Sequence, residues 1–132
     1  GECSAFVNQM VSSLCRGASR ERAFDLALDQ CEDTELLCRM QDFGRYPLLP
    51  SLDAVEATHC AVTLFLESET FSDAIIAAVN LGGDADTVGA ICGALAGAEQ
   101  TLAAIPSPWL QDLQDAHRLL ELAADLCSVS RP

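Results

Sequence analysis

Asn80-Leu-Gly-Gly-Asp-Ala-Asp-Thr-Val-Gly-Ala-Ile-Cys-Gly-Ala-Leu-Ala-Gly-Ala98 is the stretch around which the rest of the chain is organised. Asp84, Asp86 and Thr87 place three hard oxygen donors within four residues, directly after the Gly82-Gly83 turn. Gly89, Gly93 and Gly97 then recur at every fourth position, which on a helix sets them on nearly one line. Each glycine costs a helix about 1 kcal/mol relative to alanine. Three on one stripe therefore predict close approach by a neighbouring helix. The pattern reads as an oxygen-ligand turn feeding a buried helix.

Outward from that stretch, apolar residues recur at helical spacing and no alternation of period two persists. The first helix is expected over residues 4–15, with Phe6, Met10 and Leu14 inward, and Gly17 is placed to end it. Ser19 is a candidate N-cap for a helix over 20–30 that buries Ala23, Phe24, Ala27 and Cys31. Asp33 or Thr34 opens a short helix carrying Leu36, Leu37 and Met40, and residues 43–50 read as a loop because two prolines and a glycine punctuate them. Asp53 with Glu56, and Thr70 with Asp73, resemble capping boxes opening helices over 54–67 and 71–80. The glycine helix is expected over 85–103. A last helix over 109–127 follows Pro106 and a Ser107-Pro108 start, with Leu113, Leu120, Ala124 and Cys127 inward. The expectation is an all-α orthogonal bundle of about seven helices, forming a single domain over residues 1–132.

Composition narrows the function classes. Half the residues are apolar and only 5% aromatic, which favours helix packed on helix. The formal net charge is −13, with seven arginines and no lysine. So acidic a surface repels nucleic acid and anionic membrane and suits cation binding. The seven cysteines form no Cys-x-x-Cys pair and mostly occupy apolar helical positions, as small buried hydrophobes of a cytoplasmic protein do. The uncharged run around the glycine helix is too short to span a bilayer. Carboxylates with a hydroxyl and no nearby His or Cys select Mg²⁺ or Mn²⁺ ahead of Zn²⁺. Spacing alone leaves a second reading equally open, in which Asp84 caps the glycine helix and Asp86 sits in its first turn.

Residues 81–98, beginning Leu-Gly-Gly-Asp-Ala-Asp-Thr-Val-Gly, resemble the C-terminal signature of the ADP-ribosylglycohydrolases, the group that includes the dinitrogenase reductase-activating glycohydrolase. The likeness continues through residues 71–80, through Ile105-Pro106 and through Trp109-Leu110, with a weaker echo at Arg16-Gly17. It covers nearly the whole chain but only about the second half of the family's usual length. The resemblance implies the C-terminal half of a helical fold in which two divalent ions, Mg²⁺ or Mn²⁺, position a ribose and an attacking water for cleavage of an ADP-ribose glycosidic bond. By position in the motif, Asp86 corresponds to the ligand shared by both ions, while Asp84 and Thr87 contribute to one. Gly82 and Gly83 support the turn, and no residue is assigned as catalytic. The family's remaining ligands, a Thr-Asp-Asp run and a nearby Glu, lie in an N-terminal half, as do its glycine-rich ADP-ribose loops and a His-containing segment. Nothing like them occurs here, and Glu99-Gln100-Thr101 stand where relatives carry two aromatics and a glycine.

Three functional expectations follow. The first is part of a hydrolase, inactive alone and completed by a complementary N-terminal half that brings in the ADP-ribosylated substrate. The second is a non-enzymatic helical interaction domain that keeps the Asp84–Thr87 turn. The third is a dimer of two copies pooling their turns. Helix faces shaped to be covered predict that the isolated chain self-associates, as a dimer, or captures a partner. Outside the turn, His59 is expected packed and His117 at the surface. Trp109 is expected to plug the core, and Arg45 and Tyr46 to be solvated in their loop.

Overall fold

Local capping chemistry sets most of the helix starts. The Ser19 side chain accepts from the Arg22 N–H at 3.1 Å and opens α2 (Arg20–Gln30). Asp33 accepts from Leu36 N–H at 2.8 Å for α3 (Thr34–Gln41), Asp53 from Glu56 N–H at 2.9 Å for α4 (Ala54–Glu67), and Thr70 from Asp73 N–H at 3.1 Å for α5 (Phe71–Asn80). Each satisfies one of the donors a helix N-terminus leaves unpaired. The helix before them, α1 (Glu2–Cys15), ends where Gly17 takes a φ of 91°; the Gly17 and Ala18 N–H groups return to the carbonyls of Leu14 and Ser13. Glycine reaches that left-handed backbone without steric cost.

The computed structural model describes residues 1–130, and among them lie eight α-helices and no strand. The remaining three are α6 (Ala85–Gln100), α7 (Ser107–Asp112) and α8 (Ala116–Ser130). The centre is α4, in which every residue from Ala57 to Phe65 is buried. The glycine helix α6 packs against α5, α4 and α1, while α2 lies on α1 and α3 on α4. Met10, Leu36, Met40, Phe65, Val88 and Leu95 fill the space between them. The interior is thus built from the periodic positions of the first six helices. No helix is long and apolar enough to cross a membrane among the described residues.

The structure departs from the sequence reading in several places. The first helix begins at Glu2, and a 3-10 turn at Phe43–Arg45 interrupts the loop over 43–50. The glycine helix stops at Gln100, because Thr101 takes a φ of 70° and the chain tightens into a 3-10 turn at Leu102–Ala104. The last helix is two: α7 starts at Ser107 with no side-chain cap, and Asp115, at a φ of 60°, separates it from α8. Leu113, which ends α7, and Leu120, Ala124 and Cys127 of α8, all expected inward, are exposed, and among the described residues no other helix packs extensively along α8. Trp109 leans on Phe71, its ring centroid 6.2 Å away, yet it remains 38% exposed and plugs nothing.

The glycine stripe also behaves unevenly. A Cβ at Gly93 would come within 3.2 Å of the Ile75 side chain of α5, and one at Gly97 would reach the Phe71 ring at 4.0 Å. Around Gly89 there is nothing within 4 Å. A four-residue spacing overshoots a helical turn by about 40° each time, so Gly89 has rotated away from the face that Gly93 and Gly97 present to α5. Gly93 alone of the three is tight against α5; Gly97 has room for a Cβ at ordinary contact distance, and Gly89 faces open space.

Candidate functional site

The turn from α5 into α6 is pinned rather than loose. Gly82 and Gly83 take φ angles of 80° and 57°, and the Asp84 N–H donates to the Pro50 carbonyl at 2.8 Å. A Cβ on Gly83 would collide with that same carbonyl, so both the backbone conformation and the close approach demand glycine. Asp84 is then the N-cap residue of α6, but its side chain makes no cap hydrogen bond, unlike those of Ser19, Asp33, Asp53 and Thr70. Of the two readings that spacing left open, the one in which the Asp84 side chain caps α6 has no hydrogen bond behind it. Its backbone φ and ψ of −80° and 62° differ from the extended caps elsewhere in the chain, where ψ runs from 118° to 161°.

Helical geometry then sorts the three oxygen donors. Asp84 and Thr87, three residues apart, lie on one side of α6, whereas Asp86 is rotated about 200° from Asp84. Asp84 and Thr87 accordingly line a common cleft of about 460 Å³, and Asp86, also exposed, does not. The facing wall comes from α1, through Ser4, Val7 and Asn8, and the far wall from Leu52 and the first turns of α4. Half-buried Val7 and Ile91 supply apolar surface beside the two oxygen donors. Among the described residues no group of three His, Cys, Asp or Glu side chains gathers closely enough to hold a metal ion. The sequence motif therefore puts two of its donors on a cleft and the third on the adjoining surface.

The opposite end of α6 is fully engaged. Arg20 donates through Nε and Nη2 to the two oxygens of Glu99, at 2.8 and 2.6 Å. Its Nη1 donates to the carbonyls of Phe65, Leu66 and Ser68 at 3.1, 3.1 and 2.7 Å, and the guanidinium lies 4.8 Å from the Phe65 ring centroid. A cation here both neutralises Glu99 and satisfies carbonyls at the C-terminus of α4. Glu99 is held below the ordinary carboxylate range, first by the hydrogen bonds from Arg20. Gln100 accepts from the Phe71 N–H at 2.9 Å and donates to the Glu69 carbonyl at 3.1 Å, capping α5 from outside. The Glu99-Gln100 pair is thus a structural clasp joining α2, α4, α5 and α6. Sequence reading missed it, and no local signal marks a partner 79 residues away.

The other singled-out residues take structural places. His59 is completely buried, donates through Nε2 to the Phe43 carbonyl at 3.0 Å and meets the Tyr46 ring edge-on, with its Nδ1 unpartnered. Arg45 pairs with Asp42 at the surface at 3.7 Å, and Tyr46 is half-buried under the Arg39 guanidinium, so it is not simply solvated. His117 lies at the surface, 3.0 Å from Glu121. Of the cysteines, Cys60 and Cys92 are buried, Cys3 and Cys31 half-buried, and Cys15, Cys38 and Cys127 exposed, which corrects the expectation that most are interior. Burial pushes the Cys92 thiol up to about 11, so it stays protonated and unreactive at neutral pH.

Comparison with known proteins bears on the same residues. A family model described as ADP-ribosylglycohydrolase matches residues 1–132. ADP-ribosylarginine hydrolase Tri1 of Serratia proteamaculans (strain 568) is 32% identical over 124 residues, which make up 92% of this chain and 34% of that protein. Tri1 of Pseudomonas putida (strain GB-1) is 37% identical over 127 residues, 94% of this chain and 34% of that protein. The ADP-ribosyl-(dinitrogen reductase) glycohydrolase of Rhodospirillum rubrum is 37% identical over 84 residues, 62% of this chain and 29% of its own length. The chain thus spans about a third of the length of these curated relatives and matches their C-terminal part. No solved structure matches it.

Proposed function

The chain belongs to the ADP-ribosylglycohydrolase family, and on that premise we propose that it supplies the C-terminal part of a hydrolase of ADP-ribose glycosidic bonds, with Asp84, Asp86 and Thr87 as its share of a divalent-metal site. The observation that carries this reading is the uncommitted Asp84 carboxylate. Four other helices use their N-cap side chain to hold a backbone N–H, and Asp84 alone of the motif's cap position leaves its oxygens to the cleft. A carboxylate, a neighbouring carboxylate and a hydroxyl on a pinned turn fit Mg²⁺ or Mn²⁺. When bound, such an ion orients a water and polarises the substrate oxygens.

The chain's own residues do the positioning. The Gly83–Pro50 contact and the Asp84 N–H bond fix where α6 begins, and so fix Asp84 and Thr87 at the cleft. Val7 and Ile91 offer apolar surface beside those oxygens. Three donors leave most of an octahedral ion's sphere to water, and an ion so loosely held cannot align a nucleophile with an anomeric carbon. In this reading further ligands come from the part of the family's length that lies outside residues 1–132, and the substrate is an ADP-ribosylated side chain such as ADP-ribosyl-arginine.

A second reading, a non-enzymatic helical domain that keeps the turn for structure, draws on the Gly83–Pro50 contact, which needs no metal. One experiment separates the two. Release of ADP-ribose from ADP-ribosyl-arginine is measured with Mg²⁺ or Mn²⁺ for the chain alone and for the chain co-expressed with the N-terminal two-thirds of the Serratia relative. The expected result is no turnover alone, turnover when complemented, and its loss in Asp86→Ala. Turnover by the chain alone that Asp86→Ala abolishes would instead support two copies pooling their turns. A bound complement without turnover would support the non-enzymatic domain.

A further inference from the structure

We propose that a groove beside the Arg20–Glu99 clasp is a docking site for an arginine side chain on a partner protein. Arg20, Glu21, Phe24, Asp25, Phe43 and Leu66 enclose about 280 Å³. The groove is separate from the cleft at Asp84: Leu66 lies about 18 Å along α4 from Ala54, which lines that cleft. Its volume is slightly below the roughly 300–1,000 Å³ of pockets that take a whole small molecule, and it suits a single large side chain. Phe24, Phe43 and Leu66 are half-buried, so apolar surface stays open there. The floor is braced from within. Phe6, buried in the core, meets Phe24 edge-on with centroids 6.0 Å apart, and Phe24 meets Phe43 in the same manner at 5.8 Å. An aromatic surface held in this way costs a ligand little reorganisation.

Charge decides what the groove takes. Glu21 and Asp25 are exposed, and among the described residues they make no side-chain hydrogen bond or ion pair; Arg22, three residues before Asp25, pairs with neither. Glu21 has a local reason for its place, since the helix dipole favours an anion in the first turn of α2. Asp25 has none: it is a poor helix former in mid-helix, one turn from a like charge. The cation in the lining, Arg20, is already neutralised by both Glu99 oxygens, and Glu21 and Glu69 add to the negative field around it. Glu21, Asp25, Glu69 and Glu99 thus stand around a single guanidinium. An occupant with an apolar stem and a cationic head meets both the rings and the carboxylates. Glu21 and Asp25 are about 5–6 Å apart at Cβ, a span that the donor fork of a guanidinium can bridge. A guanidinium also stacks on aromatic rings, whereas the lysine ammonium is a compact, strongly hydrated point charge. The same field disfavours nucleic acid and anionic lipid.

The test is a nuclear magnetic resonance titration of the isotope-labelled 132-residue chain at physiological salt. N-acetyl-arginine amide is the probe and N-acetyl-lysine amide its comparison. The expected result is a set of saturable shifts confined to amides around Glu21–Asp25, Phe43 and Leu66, with intermolecular Overhauser contacts from the probe's methylenes to the Phe24 and Phe43 rings. The arginine probe should bind about fivefold more tightly than the lysine one. Glu21→Gln/Asp25→Asn should weaken it about tenfold, because charge-assisted bonds become neutral ones. Glu32→Gln/Glu35→Gln, which removes the same charge from exposed positions elsewhere, should leave binding unchanged. All four substitutions lie at the surface, so both variants should melt at the wild-type temperature. Shifts that do not saturate, or that centre on Asp84 and Thr87, overturn the proposal. So does equal weakening in the two double variants, or a lysine probe that binds as tightly as the arginine one. No arm of the test depends on a metal or on turnover, so its failure leaves the metal-site reading standing.

Discussion

The two ends of α6 are built on opposite principles. At its C-terminus Arg20, Glu99 and Gln100 exchange hydrogen bonds among four helices, and nearly every polar group in reach has a partner. At its N-terminus the backbone is clamped by Pro50, yet among the described residues Asp84, Asp86 and Thr87 make no side-chain hydrogen bond or ion pair. Satisfied polar groups stabilise a fold, whereas uncommitted ones held on a rigid backbone are available to a ligand. One helix thus carries engaged polar groups at one end and uncommitted ones at the other.

The sharpest way to break this contrast is at the clasp. Arg20→Ala should cost about 2–3 kcal/mol, because Glu99 and three carbonyls lose a shared charged donor at a site that is only partly screened by water. Thermal unfolding of the two proteins measures it; an unchanged midpoint would mean that the clasp holds nothing. The glycine face is next. Gly93→Leu should cost about 1–3 kcal/mol by overpacking against Ile75, while Gly89→Ala, with open space around it, should stabilise by up to about 1 kcal/mol. Equal effects at both positions would contradict the rotation of Gly89 out of the contact.

Acid offers a finer probe of the same clasp. The Glu99 carboxylate is held below its ordinary value, so its contribution is complete above the unfolded carboxylate value of about 4.3 and fades as pH falls through the lower folded value. Stability should therefore drop more steeply below about pH 4 in the wild type than in Glu99→Gln, whose amide does not titrate. At neutral pH the variant should be less stable by about 1 kcal/mol. Parallel pH profiles would show that Arg20 does not distinguish the charged form of Glu99.

What the sequence made legible was local. Ser19, Asp33, Asp53 and Thr70 are side-chain caps where the pattern predicts them, and Gly17 ends α1, because each acts on backbone within a few residues. The all-helical class follows from the same periodicity. The Arg20–Glu99 clasp was invisible because its partners meet only after α2 and α6 have been placed by α1 and α4. The orientation of α8 failed for a different reason. An apolar stripe declares that a helix face is to be covered, but not that the covering atoms lie in the same stretch of chain. In the candidate site, the motif sets three oxygen donors close together in sequence. Their division between cleft and open surface appears only with the rotation of α6.

The smallest expected effect is the one that tests the N-terminal end of α6. At an ordinary N-cap, replacing Asp by Ala costs about 1 kcal/mol, and Asp53→Ala should do so, since Asp53 accepts from the Glu56 N–H at 2.9 Å. Asp84→Ala should change stability by less than about 0.5 kcal/mol, because its side chain holds no backbone N–H and only its interaction with the helix dipole is lost. Removing one of two nearby carboxylates also relieves repulsion, which offsets that loss. Adding millimolar Mn²⁺ then supplies the second half of the comparison. An ion that binds the folded chain raises its melting midpoint in proportion to occupancy, so the wild type should gain a concentration-dependent increment that Asp84→Ala lacks. Asp53→Ala should keep the increment on its lowered baseline. If Asp84→Ala instead loses as much stability as Asp53→Ala and Mn²⁺ moves neither midpoint, the carboxylate is an ordinary cap whose bond forms in solution, and the two ends of α6 are alike.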